Sequence, residues 1–177
     1  MKSIGIIRRI DEMGRIVIPK EIRKSFRINA NDCIEIYTEG EDKIILKKHS
    51  LLKKIDDFAQ KFVDSMHGFI KHNIMITDTK DIIAFAGHKK QDYLDQQISE
   101  NLENSILRRE NMLEKYEKEY EFVLDKKEKG TYTISTIIAN GDAVGLVIIF
   151  SNNEEISKTE EKIAKIASQF LGKYLEQ

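Results

Sequence analysis

Cysteine is nearly absent from this chain of 177 residues, in which Cys33 stands alone. An intrachain disulfide therefore cannot form, and no Cys/His zinc pattern exists. We expect Cys33 to be a small buried hydrophobe at the start of a strand. The four histidines match no metal-ligand or acid–base spacing, so we expect surface or packing roles for His49, His67, His72 and His88. The sequence predicts no metal site and no cofactor.

Long apolar runs and glycine-rich loops are absent as well. No run approaches the roughly 20 apolar residues that a membrane helix needs, and the charged start of the chain does not resemble a signal peptide. The nine glycines stand singly, so no phosphate-binding loop is present. No Ser/His/Asp set is visible, and the adjacent Asp56 and Asp57 would not face each other on a helix. We therefore expect a soluble, cytoplasmic protein that is not an enzyme and has no membrane partner.

The net charge of −1 conceals an uneven distribution of charge. Residues 1–27 carry eight Lys/Arg against three Asp/Glu, whereas residues 51–177 carry 18 against 22. Any site for a polyanion should therefore lie in the N-terminal segment. On composition alone, these cations could equally be an ordinary solvated surface.

The first fifty residues predict four short strands and one short helix. Pro19, the single proline, suits the first turn of that helix because its missing N–H would have no partner there. The predicted strands are 3–10, 15–18, 33–38 and 43–48, the helix is 20–26, and 29–32 is a turn. A unit of this size buries too little apolar surface to be stable alone without a metal or a disulfide. We therefore expect residues 1–50 to form a homodimer.

A helical pattern begins near residue 51. Apolar residues recur there in alternating steps of three and four, as in a heptad seam, at Leu52, Ile55, Ala59, Phe62, Met66 and Phe69. The change of pattern places a domain boundary near 49–51 without a flexible linker. The predicted domains are therefore 1–50 and 51–177.

The second domain reads as α+β with an antiparallel sheet and flanking helices. The predicted hairpins lie at 72–87 and at 132–150, the second with the strong turn signal Asn140-Gly141. Residues 91–113 predict a helix, and 114–129 predict the end of that helix, a short strand near 120–124 and a mobile loop. Ser157-Lys158-Thr159-Glu160 is a capping box that opens the last helix.

The stretch 5–24, GIIRRIDEMGRIVIPKEIRK, together with EIY at 35–37 and IILKK at 44–48, resembles the AbrB-type (SpoVT–AbrB) DNA-binding domain. The resemblance implies an all-β swapped-hairpin barrel with one short helix, formed by an interleaved dimer on double-stranded DNA. It also implies that Arg8, Arg15 and Arg23 contact DNA, with Arg9 and Lys24 at positions where the family has basic residues. The long second domain is similar to the sporulation branch of that family, which implies regulation of sporulation genes. We expect Asp11 and Glu12 to orient the cations, and phosphate contacts and shape readout to dominate.

The second domain resembles a GAF domain, mainly through the closing hairpin NGDAVGLVIIF at 140–150. GAF domains usually form a pocket between sheet and helices, which implies a small-molecule effector. The alternative is a filled pocket in a domain that only assembles subunits, and the sequence leaves both open.

Two helices of the second domain predict an interface between dimers that would give a homotetramer. The expected interface residues are Leu52, Ile55, Ala59, Phe62 and Met66 on the first helix, and Ile163, Ala167, Phe170 and Tyr174 on the last. Two other functions stay open: a ligand-sensing or assembly protein without DNA binding, and an antitoxin of a toxin–antitoxin pair.

Overall fold

The computed structural model describes residues 5–26, 28, 34–40, 42–48 and 52–176. The chain divides into two compact units, Met1–His49 and Ser50–Gln177. Several sequence predictions fall outside the described residues: the turn at 29–32, Cys33, His49 and the boundary near 49–51.

The N-terminal unit contains one helix and one β-hairpin. Helix α1 is Lys20–Ser25, strand β1 is Ile34–Glu39 and strand β2 is Lys43–Lys48. The two strands are antiparallel, with Ile34 opposite Lys48 and Glu39 opposite Lys43. These three elements confirm the predicted helix and the two later strands to within a residue at their described ends.

The two earlier strands are not formed in the single chain. Neither the described residues 5–10 nor residues 15–18 have strand pairing, although the sequence predicts strands there. A strand is stable only when a neighbour satisfies its backbone N–H and C=O groups. Within the described residues these segments have no such neighbour, so they do not form strands.

The C-terminal unit is a five-stranded antiparallel sheet with helices on both faces. After a 3₁₀ turn (Leu52–Ile55), its helices are α2 (Asp56–Ile70), α3 (Glu100–Leu107) and α4 (Lys158–Leu175). The strands are β3 (Asn73–Thr77), β4 (Ile82–Ala86), β5 (Asn111–Val123), β6 (Lys126–Ala139) and β7 (Asp142–Ser151). Their order in the sheet is β4-β3-β7-β6-β5.

Strand β7 shows how the sheet divides the core into two layers. Val147 and Ile149 belong to the layer beneath α2 and α4. Leu146, Ile148 and Phe150 belong to the opposite layer, which α3 covers. Successive side chains of a strand point to opposite faces, so a strand buried on both faces must be apolar throughout.

Local signals at the closing hairpin and the last helix are confirmed. Asn140 and Gly141 both have positive φ, 51° and 82°, as the tight two-residue turn between β6 and β7 requires. The Ser157 side chain caps α4, and the Glu160 carboxylate accepts a hydrogen bond from the Ser157 backbone N–H at 2.9 Å, which completes the capping box.

The prediction of a long helix over 91–113 is wrong. Only Glu100–Leu107 is α-helical, after a short 3₁₀ turn at Lys90–Asp92, and β5 already begins at Asn111. The short strand predicted near 120–124 lies at the end of β5, but the helix end and the loop predicted at 114–129 are parts of β5 and β6, which pair across a turn with Asp125 at φ 60°. Glu and Lys favour helices intrinsically, but pairing with a neighbouring strand overrides that preference.

Helix α4 approaches β6 most closely at Gly172. A Cβ added there would overlap the carbonyl oxygen of Ile138, whereas one added at Gly68 in α2 would meet nothing within 4 Å. Both glycines lie in helices, where alanine is intrinsically better by roughly 0.5–1 kcal/mol.

We expect Gly172→Ala to lower the free energy of unfolding by about 1–3 kcal/mol, because α4 must move away from the sheet. Gly68→Ala is the matched control and should raise the free energy of unfolding by about 0.5–1 kcal/mol. Thermal melts of the full chain at one fixed concentration measure both effects. Equal shifts for the two variants would contradict the close approach of α4.

Candidate functional site

The five predicted DNA-binding cations are all exposed to solvent. Arg8 and Arg9 precede the turn at residues 11–15, and Arg15 ends it. Arg23 and Lys24 lie in the last turn of α1, and positive charge is favourable at the C-terminal end of a helix. None of the five has its charge buried, so each is available to an external anion.

The turn from residue 11 to residue 15 is organised by the Asp11 carboxylate. Its Oδ1 accepts hydrogen bonds from the backbone N–H groups of Met13 (3.0 Å) and Arg15 (2.8 Å), and its Oδ2 accepts from Nε of Arg15 (2.8 Å). Gly14, at φ 76°, donates its N–H to the Asp11 carbonyl at 2.9 Å. The backbone and then the side chain of Arg15 lower the pKa of the Asp11 carboxyl, so Asp11 is charged at neutral pH. The expectation that Asp11 orients a cation agrees with this contact.

The N-terminal unit exposes a large amount of apolar surface in the single chain. Ile7 is 95% exposed, Val17 74% and Ile44 71%. The other large apolar side chains exposed in this unit are Ile6, Ile10, Met13, Ile16, Phe26, Ile36, Tyr37, Ile45 and Leu46. Such a surface is normally covered by a partner.

The nine predicted interface residues divide into core and surface. Leu52, Ala59 and Ala167 are buried inside the C-terminal unit, so their prediction as contacts between subunits is corrected to core positions. They point at the sheet because it lies directly beneath α2 and α4. Ile55, Phe62, Met66 and Ile163 are partly buried beside this core, and Phe170 and Tyr174 are exposed.

Aromatic rings join α2 to α4 within one chain. The ring of Phe58 stacks on that of Tyr174 with centroids 4.5 Å apart, and Phe62 stacks on Phe170 at 5.4 Å. Phe170 and Tyr174 remain 45% and 37% exposed. We call Phe58, Phe62, Phe170 and Tyr174 the helical aromatic patch. Phe58 is not among the predicted interface residues, although its spacing of four residues from Phe62 places the two rings on the same face of a helix.

The opposite layer of the C-terminal unit is also aromatic, but it is buried. Its rings are Phe85, Tyr93, Tyr120, Phe122, Tyr132 and Phe150, with neighbouring centroids as close as 4.2 Å and 4.6 Å. Burial raises the pKa of Tyr93, Tyr120 and Tyr132, so all three hydroxyls stay protonated at neutral pH. These rings fill space between the sheet and α3.

Tyr93 closes this buried layer at its rim. Its hydroxyl donates a hydrogen bond to Glu128, and Nζ of Lys126 lies 4.2 Å from its ring centroid. Lys126 also lies 3.5 Å from Asp92 and 3.6 Å from Glu128. No sequence pattern predicts this cluster, because its residues come from separate elements.

The described histidines have structural partners or lie on the surface. Nδ1 of His67 lies 2.8 Å from the carbonyl oxygen of His72, and Nδ1 of His72 lies 3.6 Å from Glu154. His88 is exposed. Within the described residues no three His, Cys, Asp or Glu side chains are placed to hold a metal ion. In the same part of the chain, none of the helices combines the length and apolar character of a membrane crossing.

Comparison with known protein families assigns both parts of the chain. The family described as "Stage V sporulation protein T C-terminal, transcription factor" matches residues 54–176. The family described as "Antidote-toxin recognition MazE, bacterial antitoxin" matches residues 7–53.

Individual relatives agree with this division. Over 179 residues the chain is 40% identical to stage V sporulation protein T of Bacillus subtilis (strain 168), with both chains covered completely. It is 55% identical over 49 residues to the transition state regulatory protein AbrB of the same organism, which covers 28% of this chain and 50% of the relative.

Two solved structures are similar to this chain at low sequence identity. The type II free methionine-R-sulfoxide reductase from Thermoplasma acidophilum superposes with a TM-score of 0.52 at 13% identity, covering 68% of this chain and 94% of that one. The cofactor-binding GAF domain of the nutrient sensor CodY from Clostridium difficile covers 68% and 90% with a TM-score of 0.47 at 11% identity. The first similarity shows a shared fold and carries no argument about chemistry.

The chain is thus a two-domain transcription regulator, with an AbrB-like N-terminal region and a C-terminal five-stranded antiparallel sheet flanked by helices. It belongs to the stage V sporulation protein T family.

Proposed function

We propose that this chain regulates the transcription of sporulation genes by binding double-stranded DNA through the exposed cations of its N-terminal unit. The observation that carries the proposal is the end-to-end similarity to stage V sporulation protein T. The same proposal implies a cytoplasmic location and no catalytic activity of its own.

The cations Arg8, Arg9, Arg15, Arg23 and Lys24 are the proposed contacts. All are exposed, and they lie in the part of the chain with an excess of positive charge. The planar fork of arginine fits both phosphate oxygens and guanine edges. The only helix described in this unit has six residues, so we expect contacts from loops and helix ends, mainly to phosphates.

An interleaved homodimer of residues 1–50 is the proposed form of the DNA-binding domain. Two features support it: the exposed apolar side chains of the N-terminal unit, and the segments on either side of the turn at 11–15 that are predicted strands but have no strand partner. A second copy of the chain would cover the apolar side chains and would supply strand partners for the unpaired segments. The domain division at 1–50 and 51–177 is proposed with it.

The helical aromatic patch is the proposed contact between dimers, which would give a homotetramer. Phe170 and Tyr174 expose apolar area, and Ile166 on the same helix is 67% exposed. The partly buried Ile55, Phe62, Met66 and Ile163 pack against the same core and would add to this apolar surface.

For the C-terminal unit, we favour a role in assembly over the binding of a small-molecule effector. The six aromatic rings beneath α3 support this choice, because they occupy the layer between sheet and helix. Screening for an effector with the full chain would test this choice, and saturable binding of a small molecule would favour a sensor.

An antitoxin is the second candidate function, favoured by the match of residues 7–53 to the MazE family. The long folded unit Ser50–Gln177 argues against it, because antitoxins of this fold usually end in a disordered tail that wraps a toxin. Both candidates predict DNA binding by the N-terminal unit, so a stoichiometric complex with a toxin protein is the observation that would favour the antitoxin.

The affinity for DNA should fall steeply with salt. About four phosphate-contacting cations per chain, or about eight per dimer, predict a slope of roughly −7 for log K against log salt. Arg15→Ala removes one contact per chain, so the slope should shrink by about two and binding to every duplex should weaken.

Fluorescence anisotropy with a 30-bp duplex at several salt concentrations measures both the slope and the affinity. Arg108→Ala is the control, because Arg108 is an exposed arginine in the C-terminal unit. Wild-type affinity for Arg15→Ala, or an affinity that ignores salt, would reject the proposed DNA-binding surface.

Residues 1–50 alone should be a dimer with no folded monomer, because the core is shared between chains. The melting temperature of this fragment should therefore rise with protein concentration. Sedimentation and melts at several concentrations measure the two properties. A monomeric mass together with a concentration-independent melt would rule out the interleaved dimer.

Phe62→Glu should convert the tetramer to a dimer and weaken apparent DNA affinity, because it places a charge in the helical aromatic patch. Phe170→Glu should act similarly with less effect on folding, since Phe170 is 45% exposed. Tyr116→Glu, at an exposed aromatic residue of β5, is the matched control. Sedimentation velocity and circular dichroism measure mass and secondary structure. An unchanged mass in both patch variants would mean that the stripe only covers its own core.

A further inference from the structure

In the turn at residues 11–15, the Asp11 carboxylate holds Arg15 through Nε, the guanidinium nitrogen nearest to the backbone. Oδ2 of Asp11 accepts from Nε of Arg15 at 2.8 Å, while Oδ1 accepts the backbone N–H of the same residue at 2.8 Å. The Asp11 backbone N–H also donates to the Arg15 carbonyl at 3.0 Å. The backbone of Arg15 and the Nε atom of its side chain are therefore both tied to Asp11, and every contact is local to the turn.

The geometry leaves the outer edge of the guanidinium available. In the described part of the chain, the ion pair with Asp11 uses Nε of Arg15, and neither terminal nitrogen has a carboxylate partner. These two nitrogens are the pair that can donate side by side to a phosphate or to guanine. An arginine that is already ordered loses less side-chain entropy when it binds.

Asp11 also has an opposite effect on affinity. Its carboxylate is a negative charge 2.8 Å from the guanidinium, and it repels phosphate wherever Arg15 is attracted. Holding Arg15 in place should favour DNA that matches the fixed geometry. The negative charge should weaken binding to DNA that does not match, which is how a repulsive element produces specificity.

We propose that Asp11 is a positioning residue that fixes Arg15 for DNA recognition and lowers the affinity for unmatched DNA. This inference rests on the proposed function and deepens it, since it identifies what sets selectivity at the same surface. Asp11 itself does not contact the matched duplex.

Asp11→Asn separates the two contacts of the carboxylate. The asparagine oxygen can still accept the N–H groups of Met13 and Arg15, so the turn should persist. Its amide group is a donor and cannot accept from Nε, so Arg15 is released. The variant also removes one negative charge per chain.

The experiment compares two 30-bp duplexes by anisotropy, using the full chain. One duplex is selected by the wild-type chain from a random pool, and the other is the unselected pool. We expect Asp11→Asn to weaken binding to the selected duplex about fivefold and to strengthen binding to the pool about twofold, so that the affinity ratio falls about tenfold. Binding to the pool should also become more dependent on salt.

Glu12→Gln is the matched control for charge. It removes one negative charge at the neighbouring residue, and no described residue forms an ion pair or hydrogen bond with Glu12. Both affinities should rise together, leaving the ratio unchanged. Arg15→Lys keeps the positive charge but lacks Nε, so adding Asp11→Asn to it should no longer change the ratio.

An unchanged ratio in Asp11→Asn would overturn the inference while leaving the proposed function intact. Equal losses for both duplexes, together with a lower melting temperature, would also overturn it, because they would show that Asp11 only stabilises the turn. If the wild-type chain binds neither duplex, the proposed function fails and the inference fails with it.

Discussion

The N-terminal unit depends on one constraint: it is too small to bury its own apolar side chains. Residues such as Ile7, Val17 and Ile44 face solvent in the single chain, and the segments around the turn at 11–15 have no strand partner. The proposed dimer would account for both the exposed apolar side chains and the missing strand partners, because a second copy would supply apolar contacts and strand neighbours together. In a regulator whose DNA-binding domain forms only on dimerisation, folding and the doubling of the DNA-contacting cations would be one event.

The C-terminal unit has the opposite character, since its sheet is covered on both faces. Small residues of α4, such as Ala164, Ala167 and Gly172, allow close approach to the sheet, while the helical aromatic patch remains at the surface. The layer beneath α3 is filled by aromatic rings and closed at its rim by Tyr93 and Lys126. A filled core of this kind supports the proposed role of the unit in assembly, because that role would need no bound ligand.

Charge at the candidate DNA-binding surface is arranged by local chemistry. One carboxylate oxygen of Asp11 accepts a backbone N–H of the turn, and the other accepts from the Arg15 side chain. The geometry of the turn and the proposed recognition of DNA therefore depend on the same residue. The expectation that Asp11 orients a cation follows from its place among arginines in the sequence. Which arginine it holds, and by which nitrogen, depends on the backbone path through Gly14 and could be read only from the structure.

The sequence by itself determined the features whose causes lie within a few residues. The tight turn at Asn140-Gly141, the capping box at Ser157 and the apolar run of β7 all follow from neighbouring residues and were predicted correctly. The family resemblance and the uneven distribution of charge were also recognisable from the sequence alone. Only the tertiary structure decided that residues 111–119 and 126–129 are strand, and that Leu52, Ala59 and Ala167 are core. An apolar heptad looks the same whether it faces a sheet or a partner, because burial depends on what packs against a residue.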